Sequence, residues 1–115
     1  MAGPAASIFE QLGAELKVRG KELVAEIKGV ILFDIEGDCW TLDLREGNGK
    51  LTNAKPESKA DLELKSKASD FVQLVMGKIG PQQAFILGKL RIKGSMAMAL
   101  KLQPILSAAK PKAKL

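Results

Sequence analysis

Residues 29–46 read GVILFDIEGDCWTLDLRE, and the spacing of their apolar side chains decides what kind of fold this chain adopts. Ile31, Phe33 and Ile35 fall on one side of an extended chain, opposite Asp34 and Glu36. Trp40, Leu42 and Leu44 then alternate with Thr41, Asp43 and Arg45. Alternate residues of a strand point to opposite faces, so both runs predict strands with one apolar and one polar face. Gly37-Asp38 predicts a tight connection between them. Such a sheet has one wet side and one side that other elements must cover.

The same alternation continues downstream. Gly47-Asn48-Gly49 is a second hairpin signal, followed by the short strand KLTNA. KPESK, with Pro56, reads as a surface turn. ADLELKS sets Leu62 and Leu64 against Asp61, Glu63 and Lys65, and KLRIKG sets Leu90 and Ile92 against Lys89, Arg91 and Lys93. Between these two strands the period becomes helical. Phe71, Leu74 and Val75 form one stripe from Ser69 to a C-cap at Gly77, and Pro81 opens a short helix closed by Gly88.

Upstream, Ser7 opens a helix carrying Ile8, Phe9, Leu12 and Leu16, with Glu10 placed for a capping box and Gly20 as its end. Leu23, Val24 and Ile27 make a second amphipathic stretch that Gly29 breaks. At the other end Ser95 caps a last helix, in which Pro104 predicts a kink or break near Lys101 to Gln103. The order is helix, helix, four strands, helix, helix, strand, helix, which is an α+β pattern.

A chain of 115 residues holds one domain. Aromatics make up 4% of it and hydrophobic residues 46%, so the apolar mass is mostly aliphatic. That suits either a plain aliphatic core or a pliable lining for guests of variable shape. The net charge is +5, but Lys110, Lys112 and Lys114 crowd three positive charges into the last six residues. What remains is too small for a nucleic-acid footprint. The chain has no His, which excludes His-based acid–base chemistry and, with a single Cys, zinc sites. Cys39 beside Trp40 reads as a structural thiol in a reducing compartment. MAGPAAS lacks the features of a secretory signal, and no run of eighteen apolar residues suggests a membrane span.

The last helix is more apolar than a surface helix requires. Met96, Met98, Leu100, Leu102, Ile105 and Leu106 wrap more than one stripe, and two methionines with a proline suit a lid that shifts to admit a guest. A helix buried between other elements, or one covering an oligomer interface, reads the same way.

The stretch from Met76 to Gln103, MGKIGPQQAFILGKLRIKGSMAMALKLQ, resembles the signature of the sterol carrier protein type 2 domain. WTLDLREGNGK resembles that family's second strand and turn, and ASDFVQLVMGK the helix before the signature; the likeness runs from about Ser7 to Leu106. The resemblance implies a five-stranded mixed sheet with one face covered by about five helices, enclosing a hydrophobic tunnel. It also implies a non-catalytic carrier of fatty acids, fatty acyl-CoA and possible sterol or phospholipid guests, with no cofactor. Mapped by the resemblance, the tunnel lining is Phe33, Ile35, Trp40, Leu42, Leu64, Phe71, Val75, Phe85, Ile92, Met96, Leu100, Leu102 and Gln103. The Gln103 amide can donate to a carboxylate or accept from a hydroxyl, or it can simply face solvent at the expected kink. Arg19 and Lys21 can pair with an acidic head group or form a solvated turn.

Ala113-Lys114-Leu115 resembles the small–basic–leucine address read by the peroxisomal import receptor, with a basic tail touching anionic membrane as a secondary role. Expected organisation is a flexible N-terminus over 1–6, a lipid-binding domain over 7–109 and a flexible tail over 110–115. Because only six residues precede Ser7, the domain is expected to stand alone, as a monomer located in the peroxisome and secondarily in the cytoplasm. Asp34, Asp43, Asp61 and Glu63 lie on polar strand faces and make no catalytic constellation. The alternative to a carrier is an interaction or substrate-presenting module for a peroxisomal β-oxidation enzyme.

Overall fold

A computed structural model describes residues 4–56 and 59–108. Five strands form one sheet: β1 (Val30–Ile35), β2 (Asp38–Asp43), β3 (Lys50–Thr52), β4 (Leu62–Ser66) and β5 (Leu90–Gly94). Their spatial order is β3-β2-β1-β4-β5, with β1 and β4 parallel and every other neighbouring pair antiparallel. Register aligns Ile31 with Leu42 and Leu62, and Phe33 with Trp40 and Leu64. The apolar sets predicted from period-two spacing therefore share one face, and four helices cover it: α1 (Pro4–Ile27), α2 (Ala68–Val75), α3 (Pro81–Ile86) and α4 (Met96–Ala108).

The β1–β2 turn is made by Glu36 and Gly37, at φ +53° and +88°, rather than by Gly37-Asp38. Two consecutive residues with positive φ match the right-handed twist of the flanking strands. The Glu36 carboxylate accepts a hydrogen bond from the Ala68 N–H at 2.9 Å, so the same residue caps the start of α2.

The two helical stretches expected before β1 are one helix with a single non-helical residue, Arg19, at φ −124° and ψ 17°. The helix is already running at Pro4, so Ser7 does not open it and residues 4–6 are helical. Next to the irregularity, Gly20 is buried; a Cβ there would come within 1.9 Å of the Asn48 carbonyl oxygen. Only glycine lets α1 pass that close to the β2–β3 turn.

At α4 the prediction half holds. The Ser95 hydroxyl accepts from the Met98 N–H at 3.1 Å, as an N-cap should. Pro104, however, lies inside a continuous helix from Met96 to Ala108. Leu102, Ile105 and Leu106 flank it and are buried, so packing on both sides holds the helical path across the missing N–H.

The other face of the sheet is not simply wet. Between β3, at one edge, and β4, beyond β1, the described residues 53–56 and 59–61 lie on the side of the sheet away from the helices. The Thr41 hydroxyl donates to the Ala54 carbonyl at 2.6 Å, and Leu32 and Thr41 are buried beneath the connection. Its far end is tied down by Asp61, whose carboxylate accepts from the Val30 N–H and whose own N–H donates to the Val30 carbonyl, both at 2.8 Å.

Candidate functional site

The interior between the sheet and the helical layer is almost wholly apolar. Its floor is Ile31, Phe33 and Ile35 of β1, Leu42 of β2 and Leu62 and Leu64 of β4. Its roof is Ile8, Phe9 and Leu12 of α1, Phe71, Leu74 and Val75 of α2, and Ala99, Leu102, Ile105 and Leu106 around α4. These roof positions recur at three- and four-residue spacing, so the stripe that makes each helix amphipathic also aims it at the sheet.

Phe9 stands at the centre. Its ring is stacked on Trp40 at 4.6 Å between centroids and 8° between planes, and on Phe71 at 5.5 Å and 15°. Phe33 meets Phe9 edge-on at 5.3 Å and Phe71 edge-on at 5.8 Å. Offset and edge contacts of this kind add to the area the rings bury. One ring each from α1, β1, β2 and α2 thus meet in a single cluster.

Of the residues mapped as a lining, Phe33, Ile35, Leu42, Leu64, Phe71, Val75 and Leu102 are buried in this interior. Trp40, Ile92 and Met96 are half-buried and pack against it. Phe85 and Leu100 do not lie inside, being 46% and 43% exposed. On α3 the inward residue is Ala84, and its neighbour Phe85 turns about a hundred degrees away around the helix. On α4 the inward set is Ala99, Leu102, Ile105 and Leu106, which leaves Leu100 off the stripe. Phe9 and Leu12 belong to the interior and were absent from that mapping. Their amphipathic spacing placed them on the covered face, but no local signal places Phe9 between Trp40 and Phe71.

Gln103 supplies the polar feature. Its Nε2 donates to the Leu74 carbonyl at 3.5 Å, while its Oε1 is buried and has no hydrogen-bond partner among the described residues. A buried acceptor left unmatched costs free energy, so such atoms are uncommon unless something else satisfies them. Gln103 as a whole is half-buried, with its amide held against the Leu74 carbonyl of α2.

Of Asp34, Asp43, Asp61 and Glu63, the first three are engaged structurally. Asp34 accepts from the Gly37 N–H at 3.0 Å, and Asp61 holds Val30 as described. Asp43 pairs with Arg45 at 2.7 Å, and this hydrogen-bonded guanidinium holds the Asp43 carboxyl below its ordinary value. Arg19 lies between Glu15 at 3.7 Å and Glu22 at 3.3 Å. Among the described residues, no three of His, Cys, Asp and Glu gather to hold a metal ion, and no helix is long and apolar enough to cross a membrane. Ala113, Lys114 and Leu115 lie outside the described residues.

Comparison with known proteins adds identity to this geometry. The chain is similar to hydroxysteroid dehydrogenase-like protein 2 of Danio rerio, 35% identical over 114 residues, which is 96% of this chain and 27% of that protein. It is also similar to peroxisomal multifunctional enzyme A of Dictyostelium discoideum, 33% identical over 92% of this chain and 25% of the enzyme. It therefore spans about a quarter of the length of these relatives. Among solved structures, sterol carrier protein 2 from Yarrowia lipolytica in its apo form superposes with a TM-score of 0.77, at 29% identity and covering 90% of this chain and 89% of that one. Sterol carrier protein 2 of Aedes aegypti, solved in complex with palmitate, shares the fold at a TM-score of 0.75, with 18% identity over 94% and 98% of the two chains. The family model described as the SCP-2 sterol transfer family matches residues 9–107. With that match beginning at the central Phe9 and running through all five strands into α4, the chain belongs to the SCP-2 sterol transfer family.

Proposed function

We propose that this chain is a non-catalytic lipid-binding module that takes one acyl chain or a similarly shaped amphiphile between its sheet and its helical layer. The observation that carries this reading is Gln103 Oε1, a buried acceptor with no hydrogen-bond partner among the described residues, in a layer that is otherwise apolar. A protonated carboxyl or a hydroxyl on the guest would satisfy it while the hydrocarbon remains among Phe33, Leu64, Phe71 and Leu102. The aromatic cluster around Phe9 occupies the middle of that layer, so entry requires α1, α2 or α4 to shift. Met96 and Met98 at the start of α4 give that movement a pliable contact. The palmitate complex of the Aedes aegypti protein, which has the same fold, supports an acyl chain as the guest.

Burying about sixteen methylenes gains on the order of 12 kcal/mol. Association and desolvation remove much of this, so micromolar to submicromolar affinity follows. One methylene more or less changes it by only ~1 kcal/mol, so chain-length selectivity is poor. Fatty acids and fatty acyl-CoA fit this reading, and sterols and phospholipids are further guests to test. A displacement assay with a fluorescent fatty acid tests it: Met96→Trp, by filling space, and Gln103→Leu, by removing the acceptor, are each expected to weaken binding. Unchanged affinity in both overturns the placement of the guest.

The second reading is a substrate-presenting module of a larger enzyme, favoured by relatives about four times as long as this chain. The peroxisomal name of one relative supports the peroxisome as its compartment, with Ala113-Lys114-Leu115 as the address when its carboxylate is free. Deleting Leu115 from a fluorescent fusion is then expected to leave it diffuse in the cytoplasm.

A further inference from the structure

The most exposed apolar cluster in the described residues has no part in the interior. Phe85, Ile86 and Leu87, at the end of α3, are 46%, 80% and 56% exposed, three large side chains in a row. They stand on a firmly built elbow. The Leu87 N–H donates to the Gln83 carbonyl and the Lys89 N–H to the Ala84 carbonyl, both at 2.9 Å, while Ala84 is buried beneath them. Gly88, at φ +76°, then turns the chain directly into β5.

Cations crowd the base of this elbow. Lys65, Lys67, Lys89 and Arg91 line one surface cleft of about 380 Å³ together with Gly88 itself, Glu36 and Asp70. Register sets Lys65 directly across from Arg91. Like charges opposed across a sheet are unfavourable, and here they are kept together at an edge. Glu36 is already committed to the α2 N-terminus, and among the described residues none of the four cations has a carboxylate within 4.0 Å.

The geometry points to this α3–β5 elbow as the surface by which the chain docks on an anionic phospholipid bilayer. A protein partner fits less well, because lysine is depleted in the centre of protein interfaces and a three-residue apolar knob offers too little area for one. An apolar tip that enters the headgroup region, ringed by lysine and arginine that reach lipid phosphates, is how proteins lie on a membrane surface. Each cation within a Debye length of such a surface raises partition by roughly five-fold.

The elbow shares no residue with the interior or with Lys110, Lys112 and Lys114, so it can be tested by substitutions that leave both unchanged. The full chain is floated with vesicles of phosphatidylcholine, alone or mixed with phosphatidylserine. It is expected to partition onto the mixed vesicles, less so as salt is raised. Ile86→Asp is expected to lower that partition by at least about ten-fold, and Lys89→Glu with Arg91→Glu by more than about twenty-fold. Both variants are expected to keep the circular dichroism and the fluorescent fatty-acid binding of the parent, since these positions are exposed. Absence of binding by the parent chain overturns the proposal. So does partition that survives both variants and disappears only when Lys110, Lys112 and Lys114 are changed to alanine. A stable dimer in native mass spectrometry that Ile86→Asp disperses assigns the elbow to a second copy and overturns it equally.

Discussion

The two faces of this sheet come from the same strands and the same alternation, yet they are buried in different ways. On the inner face, Ile31, Phe33, Leu42 and Leu64 meet helices whose own apolar stripes interdigitate with them, and four aromatic rings close the centre. On the outer face, Leu32 and Thr41 are buried at 9% and 7% exposure beneath residues 53–56 and 59–61, which among the described residues form neither helix nor strand. One layer is held by packing over a large apolar area, the other by a few hydrogen bonds from Thr41 and Asp61. A buried residue in a sheet is therefore not evidence of a second core; the route of the chain can cover it just as well.

That contrast predicts a ranking of costs. Phe9→Ala, in the ring cluster, is expected to destabilise by about 3–5 kcal/mol in urea unfolding, the largest single effect. Leu32→Ala, beneath the connection, is expected to cost about 2 kcal/mol, at the low end for a buried leucine because the loop can settle onto the smaller side chain. If the two costs came out equal, the outer face would be a packed layer in its own right and the contrast would fail.

Thr41→Val sharpens the same comparison. It keeps the shape and removes the 2.6 Å hydrogen bond to Ala54, with an expected cost of about 1 kcal/mol. Hydrogen exchange or limited proteolysis should then show the 53–61 segment opening more readily while the helices keep their protection. Equal loosening of both faces would mean that the connection braces the whole sheet.

Arg45→Ala is expected to have the smallest effect, because the Arg45 side chain is exposed and solvent screens the pair. Its direction with pH is nevertheless fixed. Asp43 ionises more readily when folded, so the pair's contribution is present above the ordinary value of 3.8 and is lost as pH falls through the lowered folded value. The parent and Arg45→Ala should differ slightly at neutral pH and converge in acid.

Much of the site was legible because it rests on local periodicity. Period two put Phe33, Ile35, Leu42 and Leu64 on one face, helical spacing put Phe71 and Val75 on one stripe, and the family resemblance added Leu102; the structure buries all seven. Phe85 and Leu100 were misplaced because an amphipathic stripe fixes which side of a helix is apolar on average, not which of two adjacent large residues points inward. Met96 to Leu106 looked apolar all round, and only the neighbours of α4 decided that Ala99 faces in and Leu100 faces out.

By itself, then, the sequence determined the strands, the cap at Ser95, the apolar side of the sheet and, through the Met76 to Gln103 stretch, the family. These are properties of side chains within a few positions of one another, where backbone geometry sets the outcome. Tertiary structure alone decided that β4 lies beside β1, that Ala54 is held over the outer face by Thr41, that α4 continues through Pro104, and that Phe9 sits between Trp40 and Phe71. It also decided that Gln103 Oε1 is buried without a hydrogen-bond partner among the described residues. The reason is that burial and partnership depend on which distant segments meet, and local spacing carries no record of those meetings.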